Sequence, residues 1–156
     1  MNRRNFVHLT IGVLFASPVL AHHGWSSFDQ DKPLYLSGTL TQVRWQNPHA
    51  EVMLRVETTK LPADIAARTV PAQQQSVDGA GILKKVQVPA NATGTWEVEF
   101  APLSRMQAWG LSQPLKVGDR VEVIGYGVAD ENKRLLRAEY LFINGKSYAF
   151  RSSPQN

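Results

Sequence analysis

Three histidines are the residues of this chain best suited to chemistry: the adjacent pair His22 and His23, and His49 further along. The pair follows directly on a segment built like a cleavable leader. Arg3 and Arg4 supply a positive start, "FVHLTIGVLFASPVL" is mostly apolar, and "VLA" ending at Ala21 offers residues acceptable at a cleavage site. Removal of residues 1–21 would give His22 a free α-amino group, whose ordinary pKa of about 7.7–8.0 leaves a usable neutral fraction near neutrality. That amine and the His22 ring can chelate one ion, and a third nitrogen from His23 or His49 completes an all-nitrogen set. Such a set favours copper first, with nickel or zinc after it. The chain has no cysteine, so no thiolate competes for the metal. The bland alternative is that His49 packs beside Trp45 while the terminal pair stays in solvent, as chain ends do unless tied down.

Trp25 and Phe28 argue for tying down. Two large aromatics three residues apart in "GWSSFD" gain too much from burial to be left in water. Residues 22–33 are therefore expected to dock on the domain that follows, holding His22 and His23 near its surface.

The leader also fixes expectations about compartment and charge. "RRNFV" resembles a twin-arginine export signal, an ordinary Sec signal fits equally well, and an uncleaved anchor is the third option. The apolar run is short for a membrane span. The expected location is the periplasm, with no stable membrane insertion after cleavage. The full chain of 156 residues carries 17 Lys plus Arg against 13 Asp plus Glu, a net charge of +4. Loss of Arg3 and Arg4 leaves 15 basic residues against 13 acidic, or +2. A nucleic-acid or anionic-membrane binder concentrates basic residues on one face. Here the signs alternate along the expected strands, so nucleic acid is not an expected partner. The length suits one domain, which without disulfides must be held by its core.

From Leu34 the chain repeats short alternating segments punctuated by Gly, Pro, Asn and Asp, the mark of a small all-β domain. "LYLSGTLTQVRW" (34–45) predicts a long first strand, with Gly38 at a bend or bulge. "QNPH" (46–49) predicts a turn, and "EVMLRVE" (51–57) a second strand with Val52, Leu54 and Val56 inward. "TWEVEF" (95–100) predicts a third strand with Trp96, Val98 and Phe100 inward and both glutamates outward. "PLSRMQAWG" (102–110) predicts a short helix. A strand within 115–127, another within 134–145 and a hairpin turn at Asn144-Gly145 into "KSYAF" complete the order. Three strands, a helix and two more strands is the order of the OB-fold. The expected fold is thus a five- to six-stranded OB-like barrel over 34–150, with one short helix between strands 3 and 4; another small barrel or sandwich is the alternative. Residues 58–93, rich in Pro, Gly, Ala and Gln, predict an inserted loop of low order in its middle, and 151–156 a flexible tail.

Catalytic constellations are scarce. There is no G-x-S-x-G elbow, P-loop or H-E-x-x-H motif. A Ser26, His49, Asp29 triad can be drawn, but its members sit in turn and terminus sequence. The expectation is a non-enzymatic domain, with copper redox chemistry a distant third reading. As a binding module it would offer Trp25, Trp45, Arg44 and Asn47 as candidates for a ligand face. Tyr126, Tyr140, Arg55 and Arg137 are further strand residues, for most of which core packing is the alternative. The partners this chemistry admits are a metal ion, a small ligand or a periplasmic protein.

Taken together, "AHHGWSSFD", "GTLTQVRWQNPHAEVML", "GTWEVEF" and "LKVGDRVEVIGYG" resemble a family of small exported bacterial proteins of unknown function. Its members look alike in a leader ending in Ala, a His-His start, an Asn-Pro-His-Ala segment, a Trp-x-x-Glu strand and a Leu-Lys-x-Gly-Asp turn. The segment 58–93 is longer than that pattern, and "PLSRMQAWG" matches its helix loosely. The resemblance implies no activity. It implies that His22, His23 and His49 occupy motif positions, which strengthens the metal reading.

Overall fold

The computed structural model describes residues 24–57, 60–130 and 132–155; residues 1–21, expected to be a leader, and His22 and His23 lie outside the described residues. Six strands follow one another: β1 (Phe28–Arg44), β2 (Glu51–Val56), β3 (Gly94–Glu99), β4 (Arg120–Val128), β5 (Leu135–Ile143) and β6 (Lys146–Ala149). Helix α1 (Gly79–Lys85) lies between β2 and β3, and α2 (Leu103–Ala108) between β3 and β4. Antiparallel pairs join β1 to β2 and β4, β2 to β3, β4 to β5 and β5 to β6, while β3 and β5 pair in parallel. The order β1-β2-β3-β5-β4 therefore returns to β1. This all-β, OB-like connectivity, with its helix between the third and fourth strands, is the expected one.

Period-two patterning explains the ring. Val52, Leu54 and Val56 of β2, Trp96 and Val98 of β3, and Val121 and Val123 of β4 are all buried in one cluster, joined by Phe100 and Met106. β1 is long enough to serve two neighbours: its first half pairs with β4 and its second with β2. The expected bend at Gly38 is not where the irregularity falls. The β1–β2 register shifts between Leu40 and Gln42. Gly38 has another function, since any Cβ there would overlap the carbonyl of Arg55 on the neighbouring strand.

The inserted segment departs from expectation most. Its described residues include a short 3-10 turn and a helix, and several of its apolar residues are buried, although Leu61 is exposed. Ile65 in a 3-10 turn (Ile65–Ala67), Leu83 of α1 and Val86 are buried against Tyr35, Ile124 and Tyr140 on the outside of β1, β4 and β5. Within it Asp78 caps α1 by accepting from the Gly81 N–H at 2.8 Å, and beyond the helix Gln87 forms a parallel bridge to Leu34. Arg68 fastens the segment with a 2.6 Å bond to Glu122 of β4, whose other oxygen accepts from the Tyr35 hydroxyl at 2.5 Å. The C-terminal residues are held too, in contrast to the loose tail expected of 151–156. The Gln74 N–H donates to the Ser153 carbonyl at 2.9 Å, and the Ser152 N–H donates to the Gln73 side chain at 2.9 Å.

If the segment packs as described, Leu83→Ala removes a fully covered side chain and should cost about 2–5 kcal/mol in urea unfolding. A change within about 0.5 kcal/mol, typical of exposed sites, would mean that the segment is not part of the cooperative structure.

Candidate functional site

His49 sits between the Asn47–Pro48 turn and the first residue of β2. That turn, with a cis Asn47–Pro48 bond, is tied to its neighbours by two sets of hydrogen bonds. The Asn47 side-chain oxygen accepts the Leu103 N–H at 3.1 Å at the start of α2, and Ala50 exchanges backbone bonds with Ala101 and Phe100 at 3.2 and 2.8 Å. The Asn-Pro-His-Ala segment is thus a brace between the β1–β2 turn and the β3–α2 corner, and His49 projects from it.

What His49 meets is a buried ion pair. Its Nδ1 lies 2.9 Å from Oε1 of Glu99, a contact of ion-pair length off the line of a hydrogen bond. The same oxygen accepts from Nη2 of Arg137 at 2.6 Å, the short distance of a charge-assisted bond. Glu99 and Arg137 are 6% and 5% exposed, and they face each other because β3 and β5 pair in parallel with Glu99 opposite Arg137. The expectation that both β3 glutamates face water holds for Glu97 and fails for Glu99. Ring closure puts β5 beside it, and the N-terminal segment covers the seam.

That cover is Trp25 and Phe28. The Arg137 guanidinium carbon lies 4.8 Å from the Phe28 ring centre and 5.3 Å from that of Trp25. Nε of Arg137 is buried without a hydrogen bond, and these ring faces supply its electrostatic compensation. Arg151 approaches Trp25 more closely, at 4.1 Å, and also donates to Glu139 at 2.8 Å and to Gln30 at 2.7 Å. Glu139, fully buried, accepts from Gln73 at 2.8 Å as well. Trp25 finally meets Tyr126 edge to face at 6.3 Å. The aromatic residues of "GWSSFD" do dock on the domain, on the outer surface of β4 and β5.

The residues picked out as a ligand face do different things. Asn47 is spent on α2, Arg44 pairs across the hairpin with Glu51, and Trp45 is half-buried against the main core. Tyr126 and Tyr140 are buried. Trp25 lies over Arg137 of the Glu99–Arg137 pair, and Tyr126 stands opposite Arg137 in the β4–β5 register. His22 and His23 lie outside the described residues, and among the described residues no group of three or more His, Asp or Glu side chains is placed to hold a metal. Glu99, Arg151, Glu139 and Gln73 escaped the reading of the chain. Their one signal is a polar row on β5, Arg137 and Glu139, flanked by apolar residues on both sides.

Two expectations follow from this cluster. Replacing Arg137 by Met leaves the Glu99 carboxylate buried beside His49 alone. Stability should fall by about 3–5 kcal/mol, and less in the Glu99→Gln, Arg137→Met double variant; equal losses would mean that the pair is not coupled. The second concerns alkali. Burial, with the Glu139 charge adding to it, pushes Tyr126 and Tyr140 up from 10.0 to about 12, and Tyr35 is raised as well. The folded state therefore holds protons that the unfolded state releases, so this contribution is complete below pH 10 and is lost as the pH rises through about 12. Phenolate absorbance should rise together with loss of structure in that window, and full ionisation of all tyrosines in a still-folded protein would contradict it.

A family of unknown function (DUF6152) matches residues 12–67, which takes in the His-His pair, β1, the Asn-Pro-His-Ala turn and β2. The match covers about a third of the chain and makes it similar to an uncharacterised family. No curated protein and no solved structure matches.

Proposed function

We propose that the chain is an exported, non-enzymatic domain that binds a copper-type ion through the amine and ring of His22, with His23 or His49 completing the nitrogen set. The observation that carries this reading is the setting of His49. Metal-ligating histidines usually have one ring nitrogen engaged by a carboxylate or carbonyl, which orients the ring and raises its basicity. Glu99 faces Nδ1, and Arg137 in turn fixes Glu99.

Reach supports the same reading. Trp25 rests on the guanidinium that holds Glu99, and the successive contacts put His49 Nδ1 within roughly 12 Å of the Trp25 ring centre. His23 and His22 are two and three residues before Trp25, at about 3.3–3.6 Å of chain each, before their own side chains are added. The chain alone reaches roughly 7–11 Å, so the histidine side chains must supply the remainder. The all-nitrogen set, with no thiolate anywhere in the sequence, suits copper over zinc.

Calorimetric titration with copper of protein beginning at His22 tests the reading. Submicromolar affinity is expected, weakened at least tenfold by His49→Ala and by one extra residue ahead of His22. Glu99→Gln should weaken it by about 10–100-fold, the usual effect of losing an orienting partner. Micromolar or weaker binding that ignores His49→Ala would overturn it.

A further inference from the structure

The N-terminal segment is held from the far end of the chain. Its backbone tie to β4 is thin: Phe28 pairs with Val128 and the next partners are Pro33 and Tyr126, so the ladder is interrupted over residues 29–32. Side chains supply the rest of the hold, and Arg151 is at their centre. Its guanidinium carbon lies 4.1 Å from the centre of the Trp25 ring and 5.6 Å from that of Tyr126. Its Nη1 donates to Oε1 of Gln30 at 2.7 Å, and Nε2 of Gln30 donates to the Trp25 carbonyl at 3.3 Å. Arg151 therefore grips Trp25 twice, by the face of the indole and, through Gln30, by the backbone.

The grip is anchored on buried structure. Nε of Arg151 donates at 2.8 Å to Oε2 of the fully buried Glu139, whose Oε1 accepts from Gln73 of the insert at 2.8 Å. A planar guanidinium can donate from two nitrogens while offering its face to a ring, which an ammonium cannot do. Trp25 is two residues from His23 and three from His22, so the clamp fixes the point from which both depart. Two ligand groups tethered close together act on one ion at high effective concentration, and a released tether dilutes them. We infer that Arg151 is a positioning residue of the copper-type site, an inference that rests on the reading above. It acts through Trp25 and Gln30 and sets how strongly the terminal nitrogens and His49 work together on one ion.

The test uses protein beginning at His22, labelled with 5-fluorotryptophan and followed by fluorine resonance, the Trp25 signal being the one lost in Trp25→Phe. Without metal, Arg151→Lys should move that signal toward the position of free fluorotryptophan and leave those of Trp45 and Trp96 in place. In copper titration, Arg151→Lys should weaken binding at least fivefold and shrink the tenfold effect of His49→Ala to threefold or less, because groups no longer held together stop being coupled. A residue that merely stabilised the fold would leave the His49 factor intact. Gln30→Ala, an exposed change that keeps the Arg151–Glu139 bond, should move both readings in the same direction by a smaller amount, which guards against misfolding of the lysine variant. An unmoved Trp25 signal in both variants, or a moved signal with the His49 factor intact, would overturn the inference and leave the copper reading standing. No copper binding by the unaltered protein would overturn both, and the metal-free spectra tell the two failures apart.

Discussion

A guanidinium and a carboxylate that are both more than nine-tenths covered must meet, because either one left alone in the interior costs several kcal/mol. Arg137 and Glu99 meet at the parallel seam between β3 and β5, the pairing that turns a six-stranded sheet into a ring. Such a pair adds little net stability over apolar residues of the same volume. What it settles is register. Sliding β5 by two residues along β3 would keep every side chain on its own face, so apolar patterning alone does not forbid it. The slide would leave Glu99 and Arg137 buried and apart, and that does forbid it.

Everything outside the ring on this side is arranged around that pair. Trp25 and Phe28 put aromatic faces on the part of Arg137 that lacks hydrogen-bond partners, so the N-terminal segment is drawn to the seam by charge as well as by area. Arg151 comes from the C-terminal end to stack on Trp25 and satisfy Glu139, which Gln73 of the insert also serves. Three segments far apart in sequence therefore share one polar cluster on one face of β5. Loosening any one exposes a charge that the other two were covering.

The legibility of the chain divides along the same line. The strands, their order and α2 follow from alternation and turn residues, both local, and they could be read from the order of residues. So could the docking of "GWSSFD", because two aromatics near a terminus have few other places to go. The register of β3 against β5 could not, since residues 99 and 137 share no local pattern and Glu99 looks like one more outward strand glutamate. The insert misled for a related reason. Its Pro, Gly and Gln content resembles disorder, while Ile65, Leu83 and Val86 are too few to show a period; they become a core only against Tyr35, Ile124 and Tyr140.

The Asn-Pro-His-Ala segment joins the two halves of this account. Asn47 and Ala50 are occupied in bracing α2 and β3, so a purely structural duty explains why an asparagine and a small residue stand there. It does not explain the histidine. An amide or hydroxyl would also meet the Glu99 carboxylate. The brace fixes the backbone, Glu99 faces Nδ1, and the ring, only a fifth exposed, stands at the end of the seam on which Trp25 rests.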